Sequence, residues 1–497
     1  MDSVLRDLII FEMANNHQGD VGHGIRLIDE MAKIARRHRL HAGVKLQYRD
    51  LDTFIHPSYL HRSDVKHIPR FLGTRLGWED YQRLVLATKE SGLVAVVTAF
   101  DEVSVERAIE HGADVLKVAS CSAMDWPLLE AVAHAGKSVI CSTGGCRLAD
   151  IDKIVTFFEH RQVRELALLH CVGIYPTSDE DQQLQVMRRM MERYPQCIVG
   201  YSGHESPGNL RVATAAIAMG ARILERHVGL PTGTITLNAY SLSPEDADGW
   251  AAEVVAARRI CGDWGQDRKV NEEEARSLES LARGVWARVP IAQGERLAPE
   301  VVFLAMPVQE GQTTAKTYLP TMLATRDYAA GEAIMESRRY DPVFGMRAVV
   351  HEAKGLLREA RIALGGDYQI ELSHHYGMER FRRVGATIVN VINREYCKKL
   401  IILLPGQSHP AHFHSKKEET FQVLFGELKL VLDGANMLMR PGDVHLVCRG
   451  QLHAFETASG CVFEEISTTH TKGDSTYADP EIARLDPVER KTVIDAW

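Results

Sequence analysis

The chain has 497 residues with a formal net charge of −8, 45% hydrophobic and 25% charged residues, a balance that supports several packed domains and excludes disordered and fibrous classes. No basic run or stripe is present, so nucleic acid is not an expected partner; no stretch approaches a membrane span, and the apolar start carries Glu12 and soon turns polar, which fits a first strand rather than a signal peptide. The nine cysteines form no CxxC pair and fall mostly inside apolar strand-like runs, so reduced thiols and a cytoplasmic location are expected.

From the start to residue 262 short β-rich runs alternate with amphipathic segments. The runs are LIIFEMA from Leu8, GVKLQY from Gly43, VAVVTAF from Val94, VLKVAS from Val115, SVICST from Ser138, LALLHC from Leu166, CIVGYS from Cys197 and ARILERHV from Ala221. Helical periodicity between them, as in 22–37, 78–91, 103–111 and 209–219, is the order of a parallel sheet with crossover helices. Eight such units predict an α/β fold, a (β/α)8 TIM barrel; a doubly wound open sheet is the alternative, but no GxGxxG follows the first run.

Polar residues collect where these strands end. Asn15, Asn16 and His17 close the first, Lys45 and Gln47 the second, Thr98 the third, Lys117 and Ser120 the fourth, and Ser142 and Thr143 the fifth. His170 and Tyr175 lie at and after the sixth, Ser202 and His204 end the seventh, and His227 ends the eighth. In a closed parallel barrel these ends meet in one mouth. A lysine inside an apolar strand needs a charge partner, so Lys45 and Lys117 either meet a bound anion carrying phosphate and carboxylate groups or pair with a core carboxylate such as Glu12 or Glu225. His204 and His227 offer two imidazoles on adjacent strand ends, either hydrogen-bonded structural residues or the protein ligands of a divalent ion.

Beyond a probable linker the chain becomes β-rich again, with a helix expected over 347–360 and then alternating segments such as KKLIILLPG and TFQVLFGELKLVLDG. His412 and His414, two apart on one strand, share a face; Glu419 can complete it and His453 can return on a later strand. Three imidazoles and a carboxylate suit Mn, Fe, Ni or Zn. His374, His375, Tyr376, Glu465 and His470 are further polar residues of this region.

The spacing of Gly406, His412, His414, Glu419 and Gly426, followed by Gly442, Gly450 and His453, resembles the two motifs of the cupin family, departing at Cys448 and Thr457. Upstream, FEMANNHQGD, VKLQY, TAFD, LKVAS, STGG, LHCVGIYP, GYSGHESPG and LERHV resemble, in order and spacing, the motifs of the sialic acid synthase family, and RGVWARVPIAQGERLAPEVVF with ATRDYAAGEAIM resembles its small antifreeze-like (SAF, β-clip) domain. The implied organisation is a barrel over 1–262, a linker over 263–282, a SAF domain over 283–344 and a β-barrel cupin domain over 345–497.

That family condenses phosphoenolpyruvate with an aldose, usually an N-acylated hexosamine. The resemblance implies that Lys45, Thr98, Lys117, Ser120, Ser142 and Ser202 hold phosphoenolpyruvate and that His204 and His227 hold Mn or Mg. It places Asn16, Gln47 and Tyr175 around the sugar, and makes Glu12, Lys117 and Tyr175 the catalytic candidates. It further implies a domain-swapped homodimer in which the SAF domain caps the partner's barrel. Several positions depart from the pattern: Gly203 and Ser122 stand where the family has carboxylates, Asn238 near a third, Gly173 in place of an asparagine and Met306 in place of a sugar-reaching arginine. Without amide-recognising Arg and Asn, an acceptor lacking the acetamido group is expected. The product would be a 2-keto-3-deoxy sugar acid. Two other readings stay open: a bifunctional protein whose cupin isomerises or epimerises the acceptor, and a non-catalytic sugar or phosphoenolpyruvate sensor.

Overall fold

The computed structural model describes residues 3–262, 268–335, 342–365 and 368–495. It divides into two compact units, Met1–Arg268 and Lys269–Trp497. The domain boundary expected at 262–263 adjoins residues that lie outside the described ones, as do residues 336–341 just before the expected start of the last domain.

In the first unit the eight apolar runs become β1 (Ile9–Ala14), β2 (Ala42–Tyr48), β3 (Val94–Ala99), β4 (Val115–Val118), β5 (Ser138–Ser142), β6 (Leu166–Cys171), β7 (Ile198–Gly203) and β8 (Leu224–His227). They pair in parallel and close on themselves in sequence order, β8 returning to β1. The sheet is closed, and the open doubly wound alternative falls away. Successive side chains alternate between the barrel interior and the surrounding helices. Phe11, Val44, Leu46 and Val97 join the outer core, where Trp250 of the helix Pro244–Cys261 packs edge-on to Phe11. Ile10, Val96, Val115, Ile140, Leu169 and Ile223 fill the interior. Two residues further along the same strands come Glu12, Thr98, Lys117, Ser142, Cys171 and Glu225. Strand parity thus places an apolar plug beneath a polar layer. At Gly200 of β7 a Cβ would lie 2.4 Å from the Ile223 carbonyl oxygen, so only glycine fits that close approach to β8.

The second unit begins with a small body in which β9 (Gly284–Ala287) pairs antiparallel with β10 (Val302–Ala305). Val285, Ala287, Ile291, Leu297, Tyr328 and Ile334 form its core. The helix expected over 347–360 runs over Pro342–Glu359, beginning earlier because proline is favoured in a first helical turn. Twelve strands follow: β11 (Gln369–Ser373), β12 (Ala386–Asn393), β13 (Tyr396–Leu403), β14 (Ser408–His414), β15 (Glu419–Gly426), β16 (Leu428–Leu432), β17 (Ala435–Met439), β18 (Val444–Val447), β19 (His453–Glu456), β20 (Cys461–Thr468), β21 (Ser475–Tyr477) and β22 (Lys491–Ile494). They form a seven-stranded sheet, β18-β15-β20-β13-β12-β11-β22, and a five-stranded sheet, β17-β16-β19-β14-β21. Ile401, Leu403, Phe421, Val423 and Phe463 of one sheet and Leu428, Leu430 and Phe455 of the other make a shared core, the arrangement of a small β-barrel built from two facing sheets.

Candidate active site and metal centre

The polar layer of the first barrel is organised by one carboxylate. Glu225, two residues before the end of β8, points inward and takes Lys117 Nζ on Oε2 at 2.6 Å, Lys45 Nζ on Oε1 at 2.8 Å and Ser202 Oγ on Oε1 at 2.8 Å. Lys45 is shared with Glu12 of β1, its neighbour in register. All four ionisable groups are buried. Burial opposes the Lys45 charge, but Glu12 and Glu225 together hold its pKa above the ordinary lysine value. Burial also acts on Lys117, and the like charge of Lys45 adds to it, so Lys117 is lowered to about 8 despite Glu225. Glu225 is held well below the carboxylate range because the two ammonium groups outweigh its own burial. Of the two partners open to the buried lysines, the fold supplies the core carboxylates.

Around this centre the other expected residues fall into two groups. Thr98 Oγ1 and Ser142 Oγ are buried without a hydrogen-bond partner, whereas Ser120 Oγ accepts from the Gly144 amide at 3.0 Å. Gln47 Nε2 donates to Glu12 Oε2 at 3.3 Å, and the other Glu12 oxygen accepts from the Ala14 amide. Asn16 is committed to the fold, donating to the Val228 carbonyl at 2.7 Å and to Ser241 Oγ at 3.2 Å. Tyr175, 52% exposed, lies with its ring centroid 4.1 Å from that of His204.

His204 and His227 meet at the rim, their ring centroids 5.3 Å apart. His204 Nδ1 donates to the Val172 carbonyl at 2.9 Å; a carbonyl only accepts, so Nε2 keeps its lone pair. Burial lowers both histidines to about 3, with His227 adding to the effect on His204 and Lys45 to that on His227. Two neutral imidazoles, one with a fixed tautomer, fit a divalent cation.

Two departures acquire structural reasons. A Cβ at Gly203 would lie 2.3 Å from Glu205 Oε2, so that space belongs to a carboxylate that binds Arg226 and accepts from Tyr201 Oη at 2.9 Å. Asn238 Oδ1 accepts from the Ser241 amide at 2.9 Å and shapes a turn. Met306 is 58% exposed on the second unit.

In that unit the second centre is assembled by strand register. His412 and His414 share a face of β14, His412 stands opposite His453 of β19, and the three offer ligand atoms within 4.8 Å of one another. His412 Nδ1 donates to the Pro410 carbonyl at 3.0 Å and His453 Nδ1 to the Gln451 carbonyl at 3.1 Å. Both Nε2 atoms are thereby left as acceptors, the orientation metal-binding imidazoles need. Glu419 of β15 lies 3.4 Å from His414 Nε2 through Oε1 and 3.2 Å from His453 Nε2 through Oε2. Glu419 Oε2 and His453 Nε2 are buried without a hydrogen-bond partner. Donor set, burial and unspent atoms fit a transition-metal ion at His412, His414, Glu419 and His453.

Sequence reasoning named Glu465 among the polar residues near this centre but did not single out Lys417. Lys417 Nζ joins Glu419 to Glu465, lying 2.8 Å from Glu465 Oε1. Despite burial, Glu465 and Glu419 keep its pKa above the ordinary value. The signal was parity: Glu465 faces Phe421 and Lys399 across β20 and so shares their side of the sheet. Of the other polar residues noted, His375 Nε2 lies 3.0 Å from His409 Nε2, His374 binds Thr492, Tyr376 binds Asp479, and His470 lies 3.5 Å from Lys399 Nζ.

A closed parallel barrel with lysines, hydroxyls and paired imidazoles at its C-terminal rim, in one chain with a double-sheet domain that buries a cluster of three histidines, defines the class of protein. The sequence matches the NeuB family over residues 31–265 and the cupin domain over 399–466. A spore coat polysaccharide biosynthesis protein E of Chromobacterium violaceum, known from its crystal structure, is 44% identical, with 66% of this chain and 98% of that one covered at a TM-score of 0.63. The chain belongs to the NeuB family and carries a C-terminal cupin domain, as both resemblances implied. The N-acetylneuraminate-9-phosphate synthase of Drosophila melanogaster is 32% identical over 229 residues, which are 45% of this chain and 60% of the fly protein. The N,N'-diacetyllegionaminic acid synthase of Legionella pneumophila is 27% identical over 312 residues, 60% of this chain and 85% of its own. Among the described residues no helix is long and apolar enough to cross a membrane.

Proposed function

We propose that the barrel condenses phosphoenolpyruvate with an aldose, releasing phosphate and leaving a 2-keto-3-deoxy sugar acid. The observation that carries the reading is the pair of buried lysines gathered by Glu225 beside two unspent hydroxyls, Thr98 and Ser142. A phosphate and a carboxylate on one small molecule match this set: Lys45 and Lys117 turn toward the anion, and Thr98, Ser120, Ser142 and Ser202 donate to its oxygens. Synthase activity in relatives from the same family supports it.

The residues divide the chemistry as follows. C3 of phosphoenolpyruvate forms a bond to the aldehyde carbon of the open-chain sugar. Water adds at C2, and loss of phosphate from C2 restores a carbonyl. Lys117 and Lys45 stabilise charge on the reacting anion. Glu12, ion-paired with Lys45 and held by Gln47, receives the proton of the attacking water. Tyr175 lies over the His204 ring and orients the sugar. A divalent ion, Mn or Mg, held by His204 and His227 would polarise the aldehyde oxygen. Gly173 and Met306 offer no side-chain group for an acetamide, which favours an acceptor without one. A homodimer with the SAF domain of one subunit over the partner's barrel belongs to the same proposal.

The test is phosphate release from phosphoenolpyruvate with Mn²⁺ across mannose, arabinose, lyxose, N-acetylmannosamine and their phosphates, with Lys117→Ala as control. Release with one sugar that disappears in the variant supports the synthase. No release with any sugar, while phosphoenolpyruvate still binds, sinks it in favour of a sensor.

A second reading concerns the cupin, where the polar pair Lys417 and Glu465 beside a transition-metal ligand set favours isomerisation or epimerisation of the acceptor. Aldose–ketose exchange without phosphoenolpyruvate would support it. Retention of that exchange in Lys417→Met would remove the assignment.

A further inference from the structure

Arg49, the first residue after β2, is a cation of the barrel mouth that the proposed reaction leaves unused. Its guanidinium lies 3.5 Å from the Phe100 ring centroid and 4.3 Å from that of Phe71. Nη2 donates to Gln47 Oε1 at 3.0 Å, while the buried Nε has no acceptor. No carboxylate among the described residues comes within ion-pairing distance of it. Glu12 and Asp101 act on it only from further away; Glu12 is bound to Lys45, and Asp101 accepts from the Asp50 and Ser104 amides. Burial lowers the guanidinium to about 10, which leaves it charged at neutral pH.

The surroundings differ from those of an ordinary structural arginine. Arg49 lines a small cavity of about 20 Å³ with Asn15, Phe71, Thr74, Arg75 and Tyr81. Arg75 is already neutralised by Asp52 at 2.9 Å, so the uncompensated charge at this cavity is that of Arg49. Arg49 is half-buried, and a partly desolvated cation gains from a counter-charge; the aromatic faces hold its plane while a fork of N–H groups is left to direct. Position is also informative. Arg49 lies four residues beyond Lys45, about 13 Å further up the strand direction, and is linked to that lysine through Gln47 and Glu12. An anion held here would therefore sit beyond the lysine pocket, on the side of the acceptor.

We propose that Arg49 receives a negatively charged group, a phosphate or a carboxylate, at the end of the acceptor sugar remote from its aldehyde. The acceptor is then an anionic aldose, and Arg49 determines that specificity. This rests on the synthase reading of the barrel, and the experiment separates the two.

The full chain is titrated calorimetrically with mannose 6-phosphate, with mannuronate and with neutral mannose, and the same sugars are used for phosphate release. At least tenfold tighter binding of one charged sugar, abolished in Arg49→Gln with mannose binding unmoved, is expected; which charged sugar shows it tells phosphate from carboxylate. In turnover the loss falls on KM, with kcat little changed. If Arg49→Gln fails to fold, Arg49→Lys keeps the charge without the planar fork, and the same selective weakening is expected. Equal binding of charged and neutral sugars, absence of binding by all three, or a preference that survives both variants overturns the proposal. Charge-selective binding without phosphate release upholds Arg49 and removes the synthase; release with mannose alone does the reverse.

Discussion

Glu225 joins Lys45, Lys117 and Ser202 in a buried layer, so its removal leaves Lys117 without its counter-charge and Lys45 with Glu12 alone. Glu225→Gln should therefore lower the barrel's stability by about 3–5 kcal/mol. Phosphoenolpyruvate, supplying the missing negative charge, should raise the melting temperature of the variant more than that of the parent. Equal shifts in thermal melts would refute the anion pocket. The pH dependence follows with its sign. The folded pKa of Glu225 is depressed, so its stabilisation is complete above the unfolded carboxylate value of about 4.3 and is lost as pH falls below it. The gap between parent and variant should narrow in acid. Lys45, Lys117, Ser202 and His227 were legible because they interrupt apolar runs in register. Glu225 was legible only as a lysine partner, since a glutamate beside His227 reads equally as core or as site. Arg49 carried no signal, because its burial comes from Phe71 and Phe100, remote in sequence.

At the scale of elements, short apolar runs identified all eight barrel strands, and alternating segments the β-rich C-terminal region. It failed between β2 and β3, where Leu51–Phe54 and Ile68–Gly73 form helices of one turn or so, too short for a 3.6-residue period to show. The turn from β15 to β16, which carries the chain from one sheet to the other, shows what a turn residue contributes. Gly426 ends β15 at φ +74°, and a Cβ there would lie 2.0 Å from the Gly460 carbonyl oxygen. Gly426→Ala is thus excluded on both conformation and space, and should cost more than about 1 kcal/mol. Because β15 also carries Glu419, the loss should appear as a lower cupin melting transition together with weaker metal retention after dialysis. An unchanged transition would show that the turn adapts without strain. The cupin ligands were readable because His412, His414 and Glu419 lie close together in the sequence. Lys417 was not, since its burial depends on Glu465 of a strand far along the chain.

The molecule carries two candidate centres in two separate units, and their chemistries differ in what removal of a single ligand should do. In the cupin three histidines and a glutamate converge, so His412→Ala and His453→Ala should each reduce bound transition metal by about one ion per chain, measured by mass spectrometry on dialysed protein. Unchanged metal content in both would end the assignment. In the barrel two imidazoles leave most coordination positions to water and substrate, so a chelator should strip that ion first. Phosphate release should then stop while phosphoenolpyruvate binding, carried by Lys45 and Lys117, persists. The sharpest comparison uses one acceptor supplied directly. Lys117→Ala should lower kcat for phosphate release about 10²-fold or more, the scale of losing a charge-stabilising donor, whereas His412→Ala should leave it within about twofold if the cupin only prepares the acceptor. If His412→Ala lowers release as far as Lys117→Ala does, with the acceptor saturating and the fold intact by circular dichroism, the centres are coupled in a single reaction, because a module that merely supplied substrate would be bypassed by supplying it.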